Sequence, residues 1–336
     1  MASYEEIAAK LSPEYQKKLK RASEVTDDRQ EMASIGLTDA MSGGLCYGGV
    51  TLIMGNYGSG KTALALQTAG MAQKEGKSVA MIDVEGSFKP EWGANLGLDV
   101  DNMLWLNIKD VGNVTDVMVQ LMQAGTDIII IDSISALGTA NNVDLKTGEI
   151  KDFTESNQMG ALSTQIGKMM TNANMANENT ALILISQIRN NISTTGSYGF
   201  IPSGGKKMEH DPTSIIVLRS SHSDKERIKG TVKNGKRMIE KPIGNIVDWE
   251  LKKHRGSGDG LTGVYNFYYD GDIRGIDSID EIVSVGSKMG VINKGGAWFT
   301  LPNGEKFQGQ PKTVEYLRSN PEEYELLKKE VLDAIS

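Results

Sequence analysis

The stretch Gly55-Asn56-Tyr57-Gly58-Ser59-Gly60-Lys61-Thr62 fits G-x-x-x-x-G-K-[ST], the phosphate-binding loop. An apolar run, Val50-Thr51-Leu52-Ile53-Met54, leads into it, and a helix-like segment from Thr62 to Lys74 leads out. Strand, loop and helix in that order give the pattern physical meaning. Glycines let the backbone curl so that successive N–H groups point at one phosphate, and the helix N-terminus adds its dipole. Residues 55–62 are therefore expected to cradle a nucleoside triphosphate. Lys61 would reach the β- and γ-phosphates, and the Thr62 hydroxyl would bind Mg²⁺.

From Ile35 to about Asp270, strand and helix signals alternate. Strands are predicted at 50–54, 78–83, 103–107, 127–132, 181–186, 214–219, 245–252 and 263–269, and helices at 62–74, 90–96, 113–124 and 156–176. The strands at 50, 127 and 181 are continuous apolar runs, as in parallel strands covered on both faces. The fold class is thus α/β, with antiparallel hairpins expected after 214. Residues 3–22 read as one amphipathic helix, joined by a polar linker over 23–31. From Ile276 the texture changes to a small α+β lobe: a helix over 279–289, a hairpin with an Asn303-Gly304 turn, and helices over 313–317 and 321–335. Two polar, glycine-bearing stretches, 138–158 and 189–207, follow strands of the parallel set. Loops at the carboxyl ends of such strands line the ligand crevice.

Several side chains stand at those strand tips. Asp132 ends the run Ile128–Ile131 and is the expected second anchor for Mg²⁺. Asp83 and Glu85 both follow the strand at 78–83, and either would polarise an attacking water. They point to opposite sides of an extended segment, so only one faces the γ-phosphate. Gln187 caps the 181–186 run; it either senses the γ-phosphate or faces solvent. Trp92 either stacks on a purine or packs in the core.

The bulk numbers restrict the class further. A chain of 336 residues with 39% hydrophobic and 24% charged residues is an ordinary globular protein. The lone Cys46 forms no internal disulfide, and no apolar run approaches the ~18 residues that span a bilayer. The charged stretch Met1–Lys20 lacks a signal-peptide core, so a cytoplasmic location is expected. A net charge of −7 argues weakly against nucleic acid, but the basic residues cluster, over Lys225–Lys241 and in Lys252-Lys253-His254-Arg255.

These motifs, in this order, resemble the RecA family of DNA recombinases, and the match runs from about Gly43 to the C-terminus. Gly43-Gly44-Leu45 precedes the phosphate-loop strand. Ile82-Asp83-Val84-Glu85 is similar to the family's I-D-A-E, which implies Glu85 as catalytic base and leaves Asp83 structural. Leu96–Leu104 resembles L-G-V-D-x-D-N-L-L. Ile131–Leu137 resembles V-D-S-V-A-A-L, with Asp132 on the metal side. Gln187-Ile188-Arg189 and Ser203-Gly204-Gly205 resemble the opening and close of the second DNA loop, and Met159-Gly160 the end of the first. Gly296-Ala297-Trp298 and Ser319-Asn320-Pro321-Glu322 resemble motifs of the family's C-terminal lobe.

The resemblance implies a RecA-type P-loop ATPase core over 33–271, an N-terminal helical arm over 1–32 that packs on an adjacent subunit, and a C-terminal lobe over 272–336. It implies ATP and Mg²⁺ bound between protomers of a helical filament on single-stranded DNA, with double-stranded DNA as the pairing partner and no membrane. It places Trp92 against adenine. It maps the family's K-x-K pair onto Lys253 and Arg255, which would stabilise γ-phosphate charge in trans, as an arginine finger does. Arg189, Gly204, Gly205, Lys206, Lys207, Met159 and Gly160 become the DNA-contact candidates. The implied reaction is homologous pairing and strand exchange with DNA-stimulated ATP hydrolysis. A ring helicase with the same core, or a non-catalytic ATP-dependent DNA-binding regulator, are the alternatives. Departures are Lys89 near adenine, His210 where a phenylalanine usually stands, a longer first loop, a more basic 222–244 segment and no strongly acidic tail. They suit a phage- or plasmid-type member.

Overall fold

The computed structural model describes residues 3–16, 19–24, 27–138, 155–192, 198–201, 205, 207–220, 227–234, 237–256 and 258–335. In chain order the elements are α1 (Tyr4–Ala8), α2 (Pro13–Gln16), β1 (Arg29–Gln30), α3 (Ile35–Ala40), β2 (Leu45–Cys46), β3 (Val50–Gly55), α4 (Lys61–Lys74), β4 (Val79–Asp83), α5 (Pro90–Asn95), β5 (Met103–Leu106), α6 (Val111–Gln123) and β6 (Ile128–Asp132). They continue with α7 (Glu155–Ala176), β7 (Ala181–Gln187), β8 (Arg189–Ile192), β9 (Tyr198–Ile201), α8 (Lys207–His210), β10 (Ser214–Ser220), β11 (Arg227–Asn234), β12 (Arg237–His254), β13 (Leu261–Tyr268) and β14 (Gly275–Ile276). The lobe holds α9 (Ser278–Met289), β15 (Asn293–Gly295), β16 (Trp298–Thr300), β17 (Lys306–Gln308), α10 (Gln310–Ser319) and α11 (Pro321–Ile335).

One 10-stranded sheet organises the chain, in the order β14-β13-β12-β10-β3-β7-β6-β4-β5, with β11 paired to β12. From β10 to β5 every pairing is parallel; β11, β12, β13 and β14 join antiparallel. Every residue of β3, β4 and β6 is buried, which explains their unbroken apolar sequences. Successive side chains of a strand face opposite sides. So Ile53, Met81 and Ile130 meet α4 on one face, while Leu52, Ile82 and Ile131 meet α6 and α7 on the other. Among the described residues no helix is long and apolar enough to cross a membrane.

The C-terminal lobe has its own core, built on Ile282, Phe299, Leu317, Leu327 and Val331. It is tied to the rest through Glu281. That carboxylate accepts from Ser34 Oγ at 2.6 Å and from the N–H groups of Ile35 and Gly36 at 2.9 and 3.1 Å, so the lobe caps the start of α3. Burial pushes the Glu281 carboxyl up to about 7.

Four expectations need correction. The single helix expected over 3–22 is α1, α2 and a 3₁₀ turn at Ala22–Glu24. The break lies at Ser12-Pro13, because a residue before proline avoids helical backbone and Pro13 has no N–H to donate. The strand expected over 245–252 runs from Arg237 to His254, since its first half is a ribbon with β11 in which charged residues replace the apolar signal. Helix α10 is longer than the expected 313–317, and the lobe hairpin gains a third strand, β15.

Candidate nucleotide and nucleic-acid site

Strands β3, β7, β6 and β4 are parallel neighbours, so their carboxyl ends lie side by side. Gly55 pairs with Gln187, and Asp83 with Asp132. That is the edge of an open α/β sheet where ligands bind. The loop after β3 has glycine where nothing else fits. A Cβ on Gly55 would sit 2.4 Å from Ser59 Oγ and 2.5 Å from the Leu218 carbonyl. Gly60 opens α4 with φ +83°, in the left-handed region. The buried Lys61 ammonium donates to the carbonyls of Gly55 and Asn56 at 3.1 and 2.9 Å. Burial lowers its pKa, against the opposing charges of Asp132 and Glu85. Ser59 Oγ is buried with no partner among the described residues.

An acidic group faces the loop. Thr62 Oγ1 donates to Asp132 Oδ2 at 2.6 Å. Burial pushes the Asp132 carboxyl up to about 6; Glu85 and Asp83 push it the same way, and the Thr62 hydrogen bond opposes them. Asp83 is fully buried and accepts from the N–H groups of Gly86, Ser87 and Phe88 at 2.8, 3.2 and 3.0 Å. Both its oxygens hold the turn that follows β4. Glu85 is exposed, and its Oε1 accepts from Ser133 Oγ at 2.6 Å. Of the two carboxylates left open by the strand pattern, only Glu85 has an oxygen outside the fold's own hydrogen bonds.

Gln187 is exposed beside Gly55; its N–H donates to Ser135 Oγ at 2.8 Å, and the Ile188 N–H donates to the Gly55 carbonyl at 3.2 Å. The residue just before the 189–201 segment is thus bonded to the first residue of the phosphate loop. A second link escaped sequence reasoning. The Asn56 amide donates to the Ser220 carbonyl at 3.0 Å, fastening the loop to the end of β10. Ser133 and Ser135 were likewise missed; their only signal is the position of a hydroxyl just past a strand-tip acid. Trp92 is half-buried, edge-on to Phe267 at 6.4 Å.

Lys253 and Arg255 lie elsewhere. They flank His254, which pairs with Ser214, and Ser214 pairs with Thr51 at the amino end of β3. Two strands across and four residues down from Gly55, His254 sits about 16 Å from the loop at ordinary strand dimensions. Lys253 Nζ donates to the carbonyls of Glu209, at 3.5 Å, and His210; Arg255 Nη2 donates to the Asp211 carbonyl at 3.5 Å. Burial, then the Arg255 charge, lowers the Lys253 pKa.

Of the DNA-contact candidates, Met159 and Gly160 stand in the first turns of α7, and Arg189 opens β8, which pairs with β9. Gly204 and Lys206 lie outside the described residues. Gly205 approaches α7 so closely that a Cβ would meet Ser163 Oγ at 2.9 Å. Lys207 donates to Thr171 Oγ1 at 2.5 Å and pairs with Asp211 at 3.7 Å. Gly205 and Lys207 therefore lie along α7, at Ser163 and Thr171.

The family model for the RecA N-terminal domain matches residues 5–241, and that for the RecA C-terminal domain matches residues 280–336. Protein RecA of Sulfurovum sp. (strain NBC37-1) is 32% identical over 90% of this chain and 82% of its own length. Protein RecA of Caulobacter vibrioides is 28% identical over 91% and 81%. That of Rhizobium etli is 29% identical over 86% and 75%.

Proposed function

This chain belongs to the RecA family of DNA-dependent ATPases and recombinases, and from that premise we propose that its ATP, with Mg²⁺, is bound between two protomers of a filament on single-stranded DNA. The observation that carries this reading is the distance between the two halves of the site. Lys253 and Arg255 stand at the opposite end of the sheet from the phosphate loop, too far to serve it within one protomer. In a head-to-tail polymer the amino-end surface of one copy meets the carboxyl-end surface of the next. The two cations then meet the neighbour's γ-phosphate.

The loop's chemistry fits a nucleotide. Among the described residues Ser59 Oγ has no partner, and Lys61 donates to two carbonyl oxygens that a phosphate would outcompete by charge. Thr62 and Asp132 offer the hydroxyl and carboxylate that suit Mg²⁺. Among the described residues no group of three or more His, Cys, Asp or Glu could hold a metal, so the ion would rest on this pair and on the phosphates. When bound, it neutralises charge developing on the transferred phosphoryl group. Glu85, held by Ser133, orients and polarises the attacking water. Gln187 detects the γ-phosphate and passes its presence to the 189–205 segment, which orders against DNA together with the start of α7.

DNA contact runs mostly through phosphates, with Arg189, Lys206 and Lys207 as the cations, and is independent of sequence. The lobe, with Trp298, collects duplex DNA. Residues 1–32 form the arm, 33–271 the core and 272–336 the lobe. The arm exposes Ile7 and Tyr15, and the last strand of the sheet, β5, exposes Leu104 and Trp105; we assign β5 as the arm's seat on the neighbour. The proposed location is the cytoplasm. Electron microscopy with single-stranded DNA and a slowly hydrolysed ATP analogue tests the reading. Open helical filaments are expected; closed rings would indicate a motor.

A further inference from the structure

Arg29 stands in β1, at the root of the arm, and its side chain turns inward. It donates to the carbonyls of Met41 and Gly44 at 3.0 and 3.4 Å and to the Asp27 carboxylate at 2.5 Å. Its Nη1 also lies 3.1 Å from Nε2 of His254, which is only 4% exposed. Arginine has no acceptor, so Nε2 must accept and the imidazole proton resides on Nδ1. Nδ1 lies 2.8 Å from Ser214 Oγ, to which it donates. A neutral histidine of fixed tautomer therefore bridges the arm root and β10. Burial, then the Arg29 charge, lowers the His254 pKa, against the charges of Asp27 and Asp259 and a backbone hydrogen bond with Met41.

His254 stands between Lys253 and Arg255. His254 ends β12 with its side chain buried, Lys253 before it turns the other way along the strand, and Arg255 follows in the turn with its side chain exposed. The His254 N–H is held by Asp259 Oδ1 at 3.2 Å, and the Arg255 N–H by the Thr213 carbonyl at 3.1 Å. Ser214 in turn pairs with Thr51 of β3, the strand that carries the phosphate loop. We infer that Arg29 is a positioning residue for ATP hydrolysis. Through His254 and Ser214 it fixes the place from which Lys253 and Arg255 reach a neighbouring protomer. The segment that grips an adjacent copy and the pair that completes its nucleotide site are thereby joined by one hydrogen-bonded relay. This inference rests on the trans role proposed for Lys253 and Arg255.

The test is a double-mutant cycle in the full-length protein, read as DNA-stimulated ATP hydrolysis. Arg29→Met keeps the aliphatic stem and removes the donors. It should lower the stimulated kcat about 10- to 100-fold, the usual consequence of a catalytic group displaced by an ångström or so, while the KM for ATP stays within about twofold. Arg29→Lys, which restores one donor, should recover part of the loss. Added to Lys253→Ala/Arg255→Ala, Arg29→Met should change nothing further. An undiminished kcat in Arg29→Met, or a full additional loss on the Lys253→Ala/Arg255→Ala background, would overturn the relay. If Lys253→Ala/Arg255→Ala itself retains stimulated turnover, the trans role fails and the relay goes with it. Should Arg29→Met not fold, Ser214→Ala probes the other end: about a 3- to 10-fold loss is expected, and wild-type turnover in that folded variant would refute the inference.

Discussion

At the carboxyl ends of β3, β7, β6 and β4, side chains meet partners of their own protomer: Lys61 its loop carbonyls, Thr62 its Asp132, Glu85 its Ser133. At the amino end of the same sheet, the described partners of Lys253 and Arg255 are backbone carbonyls. In the proposed function, one end is a phosphate site in need of a counter-cation. The other is a pair of cations beside strands that carry no phosphate loop at that end. On the proposed reading, each end of the sheet finds its complement in another copy of the chain.

The largest expected effect comes from the cation end. Lys253→Ala/Arg255→Ala should leave the monomer's melting curve intact and lower DNA-stimulated hydrolysis by about 10³-fold, as removal of an arginine finger does. Stimulation of ordinary size would put the pair outside the reaction. At the phosphate end, Glu85→Gln should cost about 10²-fold or more in turnover, with ATP affinity and filaments preserved. Persistent hydrolysis would pass the base role to another group. Lys61→Ala should weaken ATP binding by about 100-fold, the value of a charge-assisted contact to phosphate; calorimetry showing unchanged affinity would remove the loop assignment.

The smallest effect concerns the clamp between lobe and core. Glu281 has a folded pKa of about 7, above its ordinary 4.5, so the native state holds its proton more tightly. That contribution is complete below pH 4.5 and is lost as pH rises through 7. Denaturant unfolding should therefore show stability falling by about 2 kcal/mol between pH 5 and 8. Glu281→Gln should flatten the profile, and an identical slope in both proteins would assign the titration elsewhere.

Much of this was legible in the sequence because it is local. The phosphate loop, the apolar parallel strands and the acid at the tip of Ile128–Ile131 are written in consecutive residues, and each stands where the pattern places it. What was not legible depends on distant pairing. The separation of Asp83 from Glu85 is the local exception: the N–H groups of Gly86, Ser87 and Phe88 saturate Asp83 in a turn that the strand pattern does not encode. The Arg29–His254 contact joins residues 225 positions apart, and no periodicity encodes it. The ribbon of β11 and β12 hid because charged residues fill a strand that has no core to face. The broken arm did carry a local signal, Pro13, outweighed there by the amphipathic spacing around it.

The most direct test of a site shared between protomers is complementation. Glu85→Gln protomers keep the cations, and Lys253→Ala/Arg255→Ala protomers keep the base. Each alone should be inactive in DNA-stimulated hydrolysis. Mixed in equal amounts on single-stranded DNA, about a quarter of the ordered interfaces would join an intact base to intact cations, and roughly that share of the wild-type rate should return. A mixture no faster than its two components would contradict a pocket that spans two copies of the chain.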